Sequence, residues 1–174
     1  MVFLFKITSI EKPGFSFQAE LDGQHTFADF HQCIQRVCCF SPDQLASFFV
    51  AGTNWGRQIE ITQLDMGIAG SVNYIMSKTH IKDLLNCEQQ RLLYVFDFFQ
   101  DRLFYIELMQ ISMGKNLLEP SVTAIFGDAP AQILEEDLQE QGYQTQAQEE
   151  RYDYGDLDDY TEIFGEMEDL MEGT

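Results

Sequence analysis

Positive charge is scarce in this sequence. It carries 10 Lys and Arg against 29 Asp and Glu, a formal net charge of −19. Such a surface is repelled by nucleic-acid backbones and anionic headgroups, so binding by general attraction to phosphate is excluded, and no direct nucleic-acid binding is expected. Long apolar runs are missing as well. The apolar start at Met1 is broken by Lys6, which does not read as a secretory leader. No stretch reaches the ~18–20 apolar residues of a membrane span, so no membrane partner is expected. Cysteine is sparse and badly placed for cross-links. Cys33, Cys38 and Cys39 fall in one expected helix and Cys87 stands apart. That spacing suits neither a disulfide framework nor a zinc site of paired C-x₂-C type. It reads as reduced, mostly buried thiols in a cytoplasmic protein. The three histidines, His25, His31 and His80, do not stand at metal-ligand spacing. No cofactor and no metal are expected, and no repeat of 20–50 residues is present.

What is present is a core and an acidic tail. Of the 174 residues, 45% are hydrophobic and 13% aromatic, with 15 Phe. A chain of this composition and length can bury one domain core. The charge is uneven. Residues 131–174 hold 15 acids and a single base, Arg151. Residues 139–152 are rich in Gln and Glu and poor in apolar side chains, so they lack the burial that offsets backbone ordering. Further on, Ile163, Phe164, Met167, Leu170 and Met171 repeat at helical spacing. They mark a short amphipathic helix over 161–171 with an apolar face for docking. The division read from this is a folded domain over 1–133 and a largely flexible acidic tail over 134–174.

Within the domain, Phe3, Phe5 and Ile7 share one face of a strand over 2–10. Lys12-Pro13-Gly14 turns the chain. Phe15, Phe17, Ala19 and Leu21 alternate with polar residues in a half-buried second strand. Thr26 with Asp29 starts a helix whose buried stripe is Phe27, Phe30, Ile34, Val37 and Cys38. Ser41-Pro42-Asp43-Gln44 carries the same start signal and predicts one or two further helical turns. Strands follow at Phe48-Phe49-Val50, at 58–62 and at Tyr74-Ile75-Met76, then a short helix over 79–85. Residues 91–98 and 102–112 form a late hairpin with a strongly apolar first strand, and 120–127 is a last extended segment. No βαβ alternation runs through this order. The fold class is α+β, a mostly antiparallel sheet with two or three short helices packed on it, followed by the acidic tail.

Thr26-Phe27-x-Asp29-Phe30-His31 on the helix, Gln44-Leu45-x-x-Phe48, and Tyr94-Val95-Phe96-Asp97-Phe98 stand in an order that resembles the plasmid pRiA4b ORF-3-like family. Members are often labelled TnpR-type passengers of insertion elements. Gly127-Asp128-Ala129-Pro130-Ala131-Gln132 resembles the G-x-A-P-x-Q signature of a branch with acidic C-terminal tails. The resemblance implies an α+β fold, a link to mobile DNA, and no established activity. This chain departs from the family at its late turn, where most members read D-F-G-D-x-W. This chain reads Asp97-Phe98-Phe99-Gln100-Asp101-Arg102, in which Asp97, Phe98 and Asp101 can be matched but the Gly and the Trp are gone. Gln44 replaces a common His, and the position of a later His falls near Phe104.

No catalytic constellation is visible. Strand exchange would need a nucleophilic Ser or Tyr with clustered Arg residues, whereas Arg36, Arg57, Arg91 and Arg102 are scattered. His31 and Cys33, two apart on a helix, do not face each other as a thiol dyad. The acidic run over 153–159 fits no EF-hand loop. The reading therefore leans to a monomeric, non-enzymatic protein that binds a protein partner. Its candidate surface is the aromatic hairpin tip with Asp97, Phe98, Phe99 and Asp101, together with loop Trp55. If the strand continues that far, adjacent Phe98 and Phe99 point to opposite faces, which leaves one of them exposed. Ile163, Phe164, Met167 and Leu170 are candidates for a tail interaction. Two other readings stand beside it. The acidic tail could mimic nucleic acid on a basic surface of a DNA-handling protein, or a metal-dependent or hydrolytic site could lie in the late hairpin cleft.

Overall fold

A computed structural model describes residues 1–65, 67 and 73–134. The chain divides into two units, Met1–Gln132 and Ile133–Thr174. Only Ile133 and Leu134 of the second unit are among the described residues, so the amphipathic stretch with Ile163, Phe164, Met167 and Leu170 lies outside them.

The first unit is one eight-stranded sheet with a helix across one face. Its strands are β1 (Val2–Ser9), β2 (Ser16–Asp22), β3 (Ser47–Ala51), β4 (Arg57–Thr62), β5 (Tyr74–Ile75), β6 (Arg91–Asp97), β7 (Arg102–Ser112) and β8 (Ser121–Phe126). They lie in the order β5-β4-β3-β6-β7-β1-β2-β8. Every pairing is antiparallel except that of β5 with β4. β6 and β7 occupy the middle, which is why β6 reads as almost continuously apolar. A strand flanked on both sides and covered on both faces has no polar side to show.

Helix α1 (Phe27–Cys38) starts as its sequence predicts. The Thr26 hydroxyl accepts from Asp29 N, and the Asp29 carboxylate accepts from Thr26 N in return, satisfying two N–H groups that the first turn leaves unpaired. The helix stops at Cys39, which adopts a left-handed φ of 55° and returns its N–H to Gln35 O. Its inner face carries Phe27, Phe30, Cys33, Ile34 and Cys38 onto Phe3, Phe5, Phe17, Phe48, Tyr94 and Phe104 of the sheet, all buried. Aromatic rings tie the layers together. Ring centroids lie 4.8 Å apart for Phe5–Phe30, 5.2 Å for Phe30–Phe48 and 4.9 Å for Phe48–Tyr94.

Two expectations are corrected. Ser41-Pro42-Asp43-Gln44 makes a turn and no helix. The Ser41 hydroxyl accepts from Asp43 N, but the chain must enter β3 at Ser47 to pair with both β4 and β6, and that leaves no room for a second helical turn. The described helices are therefore α1 and the single turn α2 (Ile81–Leu84), which docks through buried Ile81. The thiols are only half buried. Cys33 and Cys38 are inside, while Cys39 and Cys87 are exposed, since Cys39 sits on the helix cap and Cys87 on the loop before β6.

Candidate functional site

The turn joining β6 to β7 is held from several sides. Asp97 Oδ1 accepts from Phe99 N at 3.0 Å and Gln100 N at 3.2 Å. Its other oxygen lies 3.7 Å from the Arg102 guanidinium. Asp101 adopts a φ of 52° and pairs with Arg57, which reaches over from the start of β4. β6 ends at Asp97, so Phe98 and Phe99 both belong to the turn. The strand does not continue far enough to put them on opposite faces, and both rings are exposed, Phe98 at 47% and Phe99 at 102%.

Trp55 belongs to a separate layer on the sheet face away from α1. The β3–β4 turn is closed by Gly52 N–H to Gly56 O and Trp55 N–H to Gly52 O, with Trp55 at a φ of 63°. The loop folds back over the sheet, so that the indole meets Tyr105 of β7 edge-on at 4.7 Å between centroids. The Arg91 guanidinium lies 4.7 Å over the indole, and Arg91 also donates to Thr53 O. Arg57 lies 4.8 Å over the Phe49 ring on its way to Asp101. Beneath this layer Leu93 and Val95 are buried. Arg57 thus links the Trp55 loop to the hairpin tip, and it is the residue sequence reading missed. Nothing in the local pattern around Arg57 points to Asp101, 44 residues away.

Arg102 is the best-anchored charge in the unit, with a side chain only 7% exposed. It binds Glu11 in a fork, Nε at 3.0 Å and Nη2 at 2.7 Å. It also donates to the carbonyls of Ala131 and Gln132 and lies 5.0 Å over Phe96. The Gln132 side chain accepts from Ser41 N at 2.6 Å and donates to Ser41 O at 3.1 Å. Gly127, at a φ of 68°, passes so close to Gly14 that a Cβ there would lie 2.7 Å from the Gly14 carbonyl oxygen. The Gly127-Asp128-Ala129-Pro130-Ala131-Gln132 segment is therefore a strap, pinned by Gly127 at one end and by Arg102 and Ser41 at the other.

The positions at which this chain departs from the family's pattern have different surroundings. Gln44 is exposed in the turn before β3, and Phe104 is core. Asp97 is engaged by turn amides and Arg102, and Asp101 by Arg57, so the two carboxylates have separate partners. Among the described residues, no group of three or more His, Cys, Asp or Glu side chains could hold a metal ion. Likewise, no helix among them is long and apolar enough to cross a membrane.

A buried polar contact joins His31 of α1 to Tyr94 of β6, with Nδ1 and Oη 2.9 Å apart. Burial lowers the pKa of His31 and raises that of Tyr94, so both are neutral and the phenol O–H can donate to Nδ1. Burial also raises Cys33, partly offset by Arg36, and pushes Cys38 up to about 12. Cys33 and Cys38 are thus held as thiols, and the Nδ1 of His31 has its partner inside the core.

Comparison with known proteins agrees with this fold. A crystal structure of a protein of unknown function from Methanosarcina mazei Go1 superposes with a TM-score of 0.56 at 22% identity, covering 71% of this chain and 68% of that one. None of the curated proteins matches. The family pattern of the plasmid pRiA4b ORF-3-like proteins matches residues 12–159, running past the strap into the acidic segment. With the match covering most of its length, this chain belongs to the plasmid pRiA4b ORF-3-like family.

Proposed function

We propose that the protein is a monomeric, cytoplasmic, non-enzymatic binding module that docks a protein partner on the β6–β7 turn. One observation carries this reading: Phe98 and Phe99 stand exposed side by side on a turn that is otherwise tied down. A turn whose backbone is already held needs little further ordering when a partner covers its apolar side chains, and such anchors dominate interface energetics. The Arg57–Asp101 pair borders the tip and joins it to the loop that carries Trp55.

The test is a pull-down from native lysate with the full chain and with a Phe98→Ser/Phe99→Ser variant, washed at low and high salt. The expected result is a partner held by the wild-type chain through high salt and lost by the variant. Equal retention by both proteins refutes the tip as the anchor.

A second reading is favoured by the charge distribution. Residues 131–174 carry 15 acids and one base, a density suited to occupying the basic surface of a DNA-handling protein. The plasmid in the family name fits a mobile-element setting. In that case a partner is released steeply by salt and is lost by a chain ending at Gln132, with the Phe98/Phe99 variant unaffected.

A further inference from the structure

The two edges of the sheet are unlike each other. β5 is two residues long, which blunts its edge. β8 is six residues long, Ser-Val-Thr-Ala-Ile-Phe, and pairs only on the β2 side among the described residues. Edge strands are ordinarily guarded by Lys, Pro or charge pointing inward. β8 has none of these within its length, in a chain of net charge −19. Its one guard is a register shift opposite Gln18 and Ala19. Val122, Ile125 and Phe126 remain 37%, 55% and 59% exposed. Among the described residues this leaves an open row of N–H and C=O groups flanked by β-branched and aromatic side chains, a template for another strand.

Charge indicates which strand. The neutral edge is bracketed by two exposed acids, Glu119 before it and Asp128 after it. If two copies paired antiparallel about the middle of β8, Glu119 of one would face Asp128 of the other, and like charges placed opposite each other are destabilising. A strand with a neutral middle and basic ends meets the opposite situation at both positions. We propose that the free edge of β8 is a strand-addition site for an extended segment of a basic partner protein, apolar and β-branched in its middle with Lys or Arg at each end. Backbone pairing supplies the register, and Glu119 and Asp128 select the charge.

The experiment uses the full chain at ~0.15 M salt and a labelled synthetic peptide, Lys-Val-Thr-Val-Thr-Val-Thr-Val-Thr-Lys, whose ten residues match the span from Glu119 to Asp128. Anisotropy reads binding, and amide hydrogen exchange reads its location. The expected result is saturable binding with exchange of the Ser121–Phe126 amides slowed by about tenfold or more. A Glu119→Lys/Asp128→Lys chain, checked for unchanged circular dichroism, should bind about tenfold more weakly. A peptide N-methylated at alternate amides keeps its charge but cannot pair and should not bind. Several results overturn the proposal: equal binding of the methylated peptide, equal binding of a Glu-ended peptide, or protection mapped away from β8. Concentration-dependent protection of β8 without peptide also overturns it, because the occupant is then a second copy of the chain.

Discussion

Tyr94 Oη lies 2.9 Å from His31 Nδ1, joining the central strand β6 to α1 through a core otherwise closed by aromatic rings. Both side chains are buried, so neither has water as an alternative partner. Tyr94→Phe keeps the ring and strands the imidazole nitrogen. Urea unfolding should show a loss of about 1–3 kcal/mol, the cost of an unsatisfied buried polar group. An unchanged midpoint would mean that the contact contributes nothing.

The same pair sets a pH dependence. Burial holds the folded pKa of His31 below its ordinary value of 6.5, so the unfolded chain takes up a proton first as pH falls. The stability due to neutral His31 is complete above ~6.5 and declines as pH drops below it, by at most ~1.4 kcal/mol per pH unit. His31→Gln should flatten this part of a stability–pH curve. A lower window belongs to Asp22. Burial raises its pKa, but hydrogen bonds from Gln24 N, Leu117 N and the terminal amine outweigh that and leave it below 3.8. Its contribution is present above its unfolded value near ~3.9 and is lost only at more acid pH. That second decline should survive in His31→Gln.

The strap should respond to both of its pins. Arg102→Met leaves Asp97 and Glu11 without their guanidinium and frees the carbonyls of Ala131 and Gln132. A loss on the order of 3 kcal/mol is expected, with faster proteolysis at 128–132. Gly127→Ala adds a Cβ against the Gly14 carbonyl and forces a side chain into positive φ, costing more than ~1 kcal/mol. Thermal melts of the two variants and wild type decide the point. Wild-type behaviour in either removes that pin.

Thiol reactivity should divide two and two. Cys39 and Cys87 are exposed and should titrate with Ellman's reagent in the native protein. Cys33 and Cys38 are buried with raised pKa values and should react only on unfolding. Four fast thiols in native buffer would contradict the packing of α1.

Local elements were legible wherever a short-range rule decides them. Alternation placed Phe3, Phe5 and Ile7 inside, and Thr26 with Asp29 announced the start of α1. The start signal at Ser41 failed because strand pairing at Ser47 outweighs a cap that stabilises by only ~1 kcal/mol. Of the candidate site, the hairpin tip was visible as an aromatic cluster, but the exposure of both rings depends on β6 stopping at Asp97. Arg57 and Arg102 were seen only as scattered basic residues. Their roles are set by Asp101 and by Glu11, Ala131 and Gln132, which lie 29 to 91 residues away in the chain.

The sequence by itself determined the charge balance, the acidic tail, the apolar faces and the antiparallel character, because composition and two- or four-residue periodicities act locally. Only the tertiary structure decided the strand order, with β7 inserted beside β1 and β8 left at an edge. It also decided which charges meet, since long-range pairing depends on which closed arrangement buries the most apolar surface with its polar groups satisfied. No window of a few residues contains that comparison.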